Sequence, residues 1–304
     1  MTDPGSGRGP EPRWAAVIVN YEAGTSLTTC VRCLVADDSA GGPPEVVVVD
    51  NGSADGSVDE LRAAFPDVAV IDPDANLGYG RAANLGIAAT RAPVVAVLNP
   101  DAEVAVGTAA AMLGRFDAEE HLGAVGPQLL NPDDTPYPSA RSAPSLGDAV
   151  GHALLGTIKA DNRFTESYRQ LDADPELPRN VEWISGAAIW LRRAALDRVG
   201  GWDERFFLFF EDVDLCRRLG VDGWLIAYEP GGHVMHTVGG SRARRPVKSI
   251  FEHHRAAYQY ASKWWEGPKR LLLPAAAVFL AARGVVVAGG AAVQGRQGTA
   301  ATTE

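Results

Sequence analysis

Short, wholly apolar runs alternate with helical patterns over the first hundred residues, and this alternation narrows the possible folds more than any other feature. AAVIVN (15–20), EVVVVD (45–50), VAVID (68–72) and PVVAVLN (93–99) keep their polar residues at their ends. Between them lie TSLTTCVRCL, with Thr25 or Ser26 near its cap, then VDELRAAF and RAANLGIAAT, each with apolar residues at helical spacing. A strand without polar alternation is covered on both faces. Strand–helix alternation of this kind predicts an α/β domain with a mostly parallel central sheet flanked by helices. Ligands of such sheets bind beyond the carboxyl ends of the strands. The polar residues expected there are Asn20, Asp50 with Asn51, Asp72, and Asn99 with Asp101.

At 304 residues the chain can bury one large core or two small ones. Cys30, Cys33 and Cys216 are too few for a disulfide framework and fit a reducing compartment. The Cys30-x-x-Cys33 pair shares an apolar helix face with Leu27, Val31 and Leu34, and no second pair completes a zinc site. The opening MTDPGSGRGPEPR has no apolar signal core. Residues 1–13 are therefore expected to be a disordered tail, and the protein is expected to stay on the cytoplasmic side. Residues 131–180 are irregular, and long loops inside a domain are usually functional or mobile. EWISGAAIWLRR (182–193) reads as one strand, GWLIAYEP (223–230) and HVMH (233–236) as two short ones, and 247–265 as a helix with an aromatic face.

From Ser241 onward ten basic and three acidic residues give +7, which leaves −17 of the net −10 in the preceding part. An acidic body with a basic tail predicts an anionic docking surface; no nucleic-acid motif accompanies the charge. LLLPAAAVFLAARGVVVAGGAAV (271–293) is long enough to span a bilayer. Pro274, Arg283 and the pair Gly289-Gly290 favour instead a helix lying in the membrane interface, with Trp264, Trp265, Lys269 and Arg270 at headgroup level. A C-terminal helix packed on the domain is the rival reading.

FFLFFEDVDLCRR (206–218) carries the strongest chemical signal. An aromatic stretch delivers Glu211 and Asp212 to what reads as a helix start. A carboxylate beside an apolar wall has the low solvation and fixed position of a general base. Helix-start acids also occur simply for the dipole. Asp50 in VVVVDNGSADGS can accept a hydrogen bond from a base imide, or can order a turn; Gly52 and Arg62 stand where a calcium loop needs ligands. Gly78-Tyr79-Gly80-Arg81-Ala82-Ala83 fits the dinucleotide fingerprint but follows the wrong strand, and its helix start can still approach a diphosphate. In Asn99-Pro100-Asp101 the acid suits a hard divalent cation. His233 and His236 face opposite sides of a strand, so only one of them can join Asp101.

Taken in order, VIVNY, VVVVDNGSADGS, NLGYGRAANLGI, LNPDAEV, WISGAAIWLRR, GGWDERFFLFFEDVDLCRRL and HVMHTVGGS resemble a family-2 inverting glycosyltransferase of the GT-A fold, over residues 15 to about 241. YPSARSAPSLGDAVGHALLG (137–156), ESYRQ and WISG make the match closest to rhamnosyltransferases acting on N-acetylglucosaminyl-diphospho-polyprenol in actinobacterial cell-wall linker synthesis. The resemblance implies a GT-A catalytic domain at 14–245 and a helical, membrane-associating segment at 246–304. It implies that Asp212 is the base, with Glu211 its neighbour. Asn20, Asp50, Asn51, Gly78, Arg81 and Asn99 would hold the nucleotide-sugar, Asp50 binding its pyrimidine. Asp101 and His236 would hold Mg²⁺ or Mn²⁺, with Asn99 standing where the family's D-x-D motif has its first acid. Trp183, Ser185 and Gly186 would line the acceptor site. The implied partners are dTDP-L-rhamnose, a polyprenyl-diphosphate-linked sugar and an anionic membrane surface. Two rivals differ in class: a glycosidase with paired carboxylates, and a nucleotide-sugar sensor without turnover. A family-2 enzyme with another donor or acceptor is the nearer alternative.

Overall fold

The computed structural model describes residues 12–141, 174–237 and 246–300. The start of the N-terminal tail, most of the 137–156 stretch, ESYRQ and the end of HVMHTVGGS lie outside them. The four apolar runs form β1 (Trp14–Asn20), β2 (Glu45–Asp50), β3 (Ala69–Ile71) and β4 (Val94–Leu98). α1 (Ser26–Ala36), α2 (Ser57–Ala64) and α3 (Tyr79–Ala89) connect them. Thr25 sits at the start of α1 but makes no side-chain cap bond. β5 (Ala102–Val104), α4 (Thr108–Ala118), β6 (Leu122–Leu130), β7 (Pro136–Tyr137) and β8 (Ala140–Arg141) follow. After residue 173 come β9 (Arg179–Asn180), β10 (Trp183–Ile184), β11 (Ala188–Arg192), α5 (Arg193–Val199), α6 (Glu211–Val221) and β12 (Leu225–His236).

The main sheet runs β3-β2-β1-β4-β11-β6-β12-β5, with β7 on β6 and β9 on β12; β10 and β8 form a separate ribbon. It is parallel from β3 to β4 and mixed beyond, because β11 runs antiparallel to both β4 and β6. β1 is buried along its whole length, with Val17 and Val19 in the core on one face and Trp14, Ala16 and Ile18 in the core on the other. Burial on both faces is what its unbroken apolar run requires.

The register builds the functional edge. Asn20 pairs with Asp50, and Ile18 with Leu98, so β1, β2 and β4 end side by side. Ala188 pairs with Leu98, so the reversed strand β11 begins where β4 ends. His236 pairs with Ala102, which brings the end of β12 beside Asp101.

Three expectations change here. The 182–193 run is two strands broken at Ser185–Ala187, where the backbone bonds outward rather than along a ladder, and Arg193 already begins α5. The 223–230 and 233–236 runs merge into β12, with a register shift between Glu229 and His233 that absorbs Pro230-Gly231-Gly232. The third concerns the C-terminal segment. Helix α7 (Pro246–Trp264), grouped above with the membrane-associating tail, packs into the catalytic domain, and Ala256 and Tyr260 belong to its core. Lys263 Nζ reaches Asp203 at 2.6 Å and the fully buried Asp214 at 2.7 Å. Trp264 Nε1 donates to Asp214 at 2.8 Å, and its ring lies 4.2 Å from the Arg217 guanidinium carbon. Trp264 is therefore inside the domain seam and not at a headgroup level.

The aromatic run closes that seam: Phe209 and Phe210 both pack on His253 of α7. Both also hold positive φ, 70° and 64°. Two consecutive bulky residues in the left-handed region cost about 1–3 kcal/mol each, and their packing on α7 offsets that strain.

Beyond a short 3₁₀ turn, α8 (Leu273–Ala300) lies along α7, with Arg283 Nη1 2.8 Å from His254 Nε2. Gly267–Gly290 is long and apolar enough to cross a membrane: an 18-residue stretch within it has a mean hydropathy of 2.2 and is only 11% buried. Leu271, Val278, Val285 and Val286 are exposed, beside exposed Lys269 and Arg270.

Candidate active site

The residues expected on the nucleotide side form a buried hydrogen-bonded platform at the ends of β1 and β2. Asp50 Oδ1 accepts from Asn20 Nδ2 at 2.7 Å and from Ser53 Oγ at 2.6 Å, while its Oδ2 accepts the Ser53 N–H at 3.0 Å. The carboxylate thus orders the loop that follows β2, the turn reading, with Oδ2 holding fewer bonds than Oδ1. Asn20 is fully buried, and its Oδ1 has no hydrogen-bond partner among the described residues. Asn51 reaches across the edge: its Oδ1 accepts the Leu77 N–H and its Nδ2 donates to the Gly78 carbonyl, both at 3.2 Å.

Gly78 is glycine for a local reason. Its φ is 85°, and a Cβ there would collide with the Phe207 carbonyl and lie 2.9 Å from Phe207 Cα. The next N–H, of Tyr79, donates to that same carbonyl at 2.8 Å. The glycine therefore serves the approach of the 206–210 segment to the start of α3. Arg81, on the exposed side of α3, pairs with Glu204 at 3.6 Å.

The β4–β5 turn supplies a second cluster. His236 Nε2 lies 3.3 Å from Asp101 Oδ1 and 3.0 Å from Asn99 Nδ2. Of the two histidines, His236 is the one whose ring joins this cluster; the His233 backbone N–H bonds Thr108 Oγ1. A carboxylate, an imidazole and a carboxamide converge here. That donor set suits Mg²⁺ or Mn²⁺, which take one or two protein carboxylates and complete their shell with water and phosphate oxygens. Among the described residues no group of three His, Cys, Asp or Glu side chains gathers, so a cation held here would take only part of its shell from these side chains.

The segment Ser185–Ala187 is the hub. The Gly186 N–H donates to Asp212 Oδ2 at 2.8 Å, and the Gly186 carbonyl accepts from Tyr79 OH at 2.6 Å. The Ala187 carbonyl accepts the Asn99 N–H at 2.9 Å, and the Ser185 N–H donates to the Ser139 carbonyl at 2.8 Å. One three-residue loop therefore ties α3, β4, the β8 ribbon and α6 together. A Cβ on Gly186 would lie 3.1 Å from Asp212 Cβ and 3.4 Å from Oδ2, so only glycine lets the carboxylate approach this closely.

Asp212 stands in the first turn of α6, its Oδ1 accepting the Val213 N–H at 2.8 Å. Burial pushes its carboxyl above the usual range, against the N–H groups of Gly186 and Val213, the charge of Arg141 and the Trp183 indole N–H, which all favour ionisation. Glu211 is buried beside Gly80 of α3. Tyr79 is pushed well above its ordinary range by burial and by the charges of Glu211, Asp212 and Asp101 together. Its phenol therefore remains a donor, as its 2.6 Å bond to the Gly186 carbonyl requires.

Asp50, Asn51, Asn20 and Gly78 thus share one platform, Asn99, Asp101 and His236 a second, and Asp212, Gly186, Ser185 and Trp183 a third. Arg81 joins none of these groups. The sequence reading missed Tyr79 and Arg141. Tyr79 lies inside the flagged GYGR motif, but only its phenol's long reach to residue 186 reveals its part. Arg141 comes from the irregular stretch, where no periodicity points to it; its guanidinium carbon stacks 4.7 Å over Trp183.

Residues 15–200 match Glycosyl transferase family 2. N-acetylglucosaminyl-diphospho-decaprenol L-rhamnosyltransferase of Mycobacterium tuberculosis (strain ATCC 25618 / H37Rv) is 37% identical over 272 residues, covering 84% of this chain and 88% of the relative. Among solved structures, mannosyltransferase PcManGT from Pyrobaculum calidifontis, in complex with GDP-Man and Mn²⁺, superposes with a TM-score of 0.54 at 18% identity, covering 97% of this chain and 81% of that one. GalNAc-T7 with UDP, GalNAc and Mn²⁺ gives 0.55 at 15%, covering 83% and 50%. Both share the fold. The chain is a GT-A glycosyltransferase and belongs to Glycosyl transferase family 2.

Proposed function

We propose that the chain transfers L-rhamnose from dTDP-L-rhamnose to N-acetylglucosaminyl-diphospho-polyprenol, with inversion, at the cytoplasmic face of the plasma membrane. The observation that carries this reading is Asp212: a half-buried carboxylate fixed by two N–H groups, in the same part of the site as Trp183 and Ser185. It occurs in a chain 37% identical to a rhamnosyltransferase named for that acceptor.

The steps follow from the chain's own groups. Asn20, Asp50 and Asn51 hold the base and ribose end, with Asp50 Oδ2 receiving the thymine imide N–H. The start of α3 and the β4–β5 turn face the diphosphate. Trp183 and Ser185 seat the acceptor sugar so that its hydroxyl points at Asp212. Asp212 takes the hydroxyl proton as the oxygen bonds to the anomeric carbon from the face opposite the nucleotide. The bond from that carbon to the diphosphate oxygen breaks in the same displacement, and the proton then passes to water. Asp101 and His236 are the residues that would hold Mg²⁺ or Mn²⁺, whose Lewis acidity would offset charge on the departing diphosphate. The exposed apolar face of α8, with Lys269 and Arg270, keeps the enzyme at the anionic surface where its lipid acceptor lies.

A donor panel tests the reading: dTDP-rhamnose, UDP-galactofuranose and UDP-GlcNAc against the lipid acceptor, products read by mass spectrometry. Rhamnosyl addition is expected. Addition of another sugar moves the chain to a different family-2 specificity, and binding without turnover makes it a sensor. Asp212→Asn should lower turnover about 10²–10⁴-fold while nucleotide-sugar binding persists; full turnover in that variant removes Asp212 as the base.

A further inference from the structure

We propose that Arg141 binds the diphosphate of the lipid-linked acceptor, a subsite that rests on the acceptor reading above. Arg141 pairs directly with Trp183 across the β8–β10 ribbon. Its guanidinium is fixed from several sides: Nε donates to the Pro138 carbonyl at 2.9 Å, Nη2 donates to Tyr137 OH at 3.2 Å, and the rings of Trp183 and Tyr137 lie 4.7 and 5.8 Å from its central carbon. A planar fork held by stacking loses little entropy when it meets phosphate oxygens. Arg141 is half-buried, so its charge is only partly screened.

Position identifies the ligand. Trp183 links Arg141 to the base: Arg141 stacks on its ring, and three residues further along the Gly186 N–H holds Asp212. A sugar with a hydroxyl at Asp212 carries its anomeric diphosphate beyond the ring, where the ribbon presents Arg141. The donor diphosphate belongs to the β4–β5 turn with Asp101 and His236, a different part of the site.

The test compares two acceptors at saturating donor: N-acetylglucosamine joined to farnesol through a diphosphate, and the same sugar joined to farnesol glycosidically. The wild-type enzyme should prefer the diphosphate acceptor at least tenfold in kcat/KM. Arg141→Gln should erase that preference, mainly by raising KM for the diphosphate acceptor at least tenfold, and Arg141→Lys should retain part of it. Parallel losses with both acceptors, preserving the preference, overturn the proposal and make Arg141 a positioning residue for Asp212. With the donor varied instead at saturating diphosphate acceptor, a rise confined to the donor KM also overturns it. If Arg141→Gln does not fold, Arg141→Lys carries the comparison, and an undiminished preference there overturns the assignment. Failure of the acceptor reading shows differently: wild-type enzyme then transfers nothing to the diphosphate acceptor, and the subsite falls with it.

Discussion

Replacing Gly186 with alanine tests whether the hub at Ser185–Ala187 sets the position of the base. The new methyl carbon would sit 3.1 Å from Asp212 Cβ and 3.4 Å from Oδ2. Ordinary contact between such atoms is about 3.5–4.0 Å, so something must give by about half an ångström. The loop resists, because Tyr79 OH, the Asn99 N–H and the Ser139 carbonyl hold it. The displacement therefore falls on the Asp212 side chain and lengthens its 2.8 Å bond to the Gly186 N–H. A hydrogen bond to a charged group contributes about 1.5–3 kcal/mol, equivalent to roughly a ten- to hundredfold change in rate. Gly186→Ala should accordingly lower kcat by that factor. Nucleotide-sugar affinity, measured calorimetrically, should stay near wild type, and the melting temperature should fall only slightly, because Gly186 has no positive φ to protect. Full kcat at an unchanged melting temperature would refute the reasoning. So would a loss expressed wholly in donor affinity, which would place residue 186 on the nucleotide side.

Tyr79→Phe removes the 2.6 Å bond that fixes the Gly186 carbonyl. Burial already holds Asp212 above the usual range, so activity should fall on the acid side at a higher pH than an ordinary aspartate gives; loosening the Gly186 N–H bond should move that limb higher still, read from kcat/KM against pH. Lys263→Met leaves Asp203 and Asp214 facing each other across the α7 seam and should cost about 3 kcal/mol in denaturant unfolding. Burial opposes ionisation of Asp203, but hydrogen bonds from Arg205 and Lys263 hold its carboxyl well below the usual range. Its stabilisation is therefore complete above the unfolded value near 3.9 and is lost as pH falls below that, a loss that should shrink in Lys263→Met. A chain ending at Glu266 should still fold, with a lowered melting temperature from uncovering His254, and lose binding to anionic vesicles. One ending at Arg245 should fail to fold, because it lacks the core residues Ala256 and Tyr260.

The fold was legible because its first half is encoded locally. Val17, Val47 and Val95 announce buried parallel strands, and the polar residue ending each strand follows the topology directly. The second half was harder to read because its strands reverse. A reversed β11 must begin with a sharp change of direction, and Ser185–Ala187 reads as strand interior until its outward bonds to Tyr79, Asn99, Ser139 and Asp212 are seen. The same limit governed the site. Asp212 and Asp101 could be singled out as carboxylates in telling local settings. Tyr79 is one aromatic among apolar helix residues, and its function comes from a partner 107 positions away.

The aromatic run is the clearest case of one sequence signal carrying two jobs. Phe206 is buried, while Phe209 and Phe210 take left-handed backbone angles that a glycine would adopt at lower cost. Bulky residues persist there because their rings pack on His253, and Phe210 also on Tyr260, both from α7. The helix that carries Asp212, the proposed base, is therefore aimed by a strained turn whose strain is offset by a C-terminal helix. That helix in turn packs along the exposed apolar α8 through Arg283 and His254. Membrane seating of α8 would thus bear on the geometry of Asp212 through two packed contacts. This arrangement predicts that removing α8 alters lipid binding first, and that only loss of α7 releases the turn that aims the base.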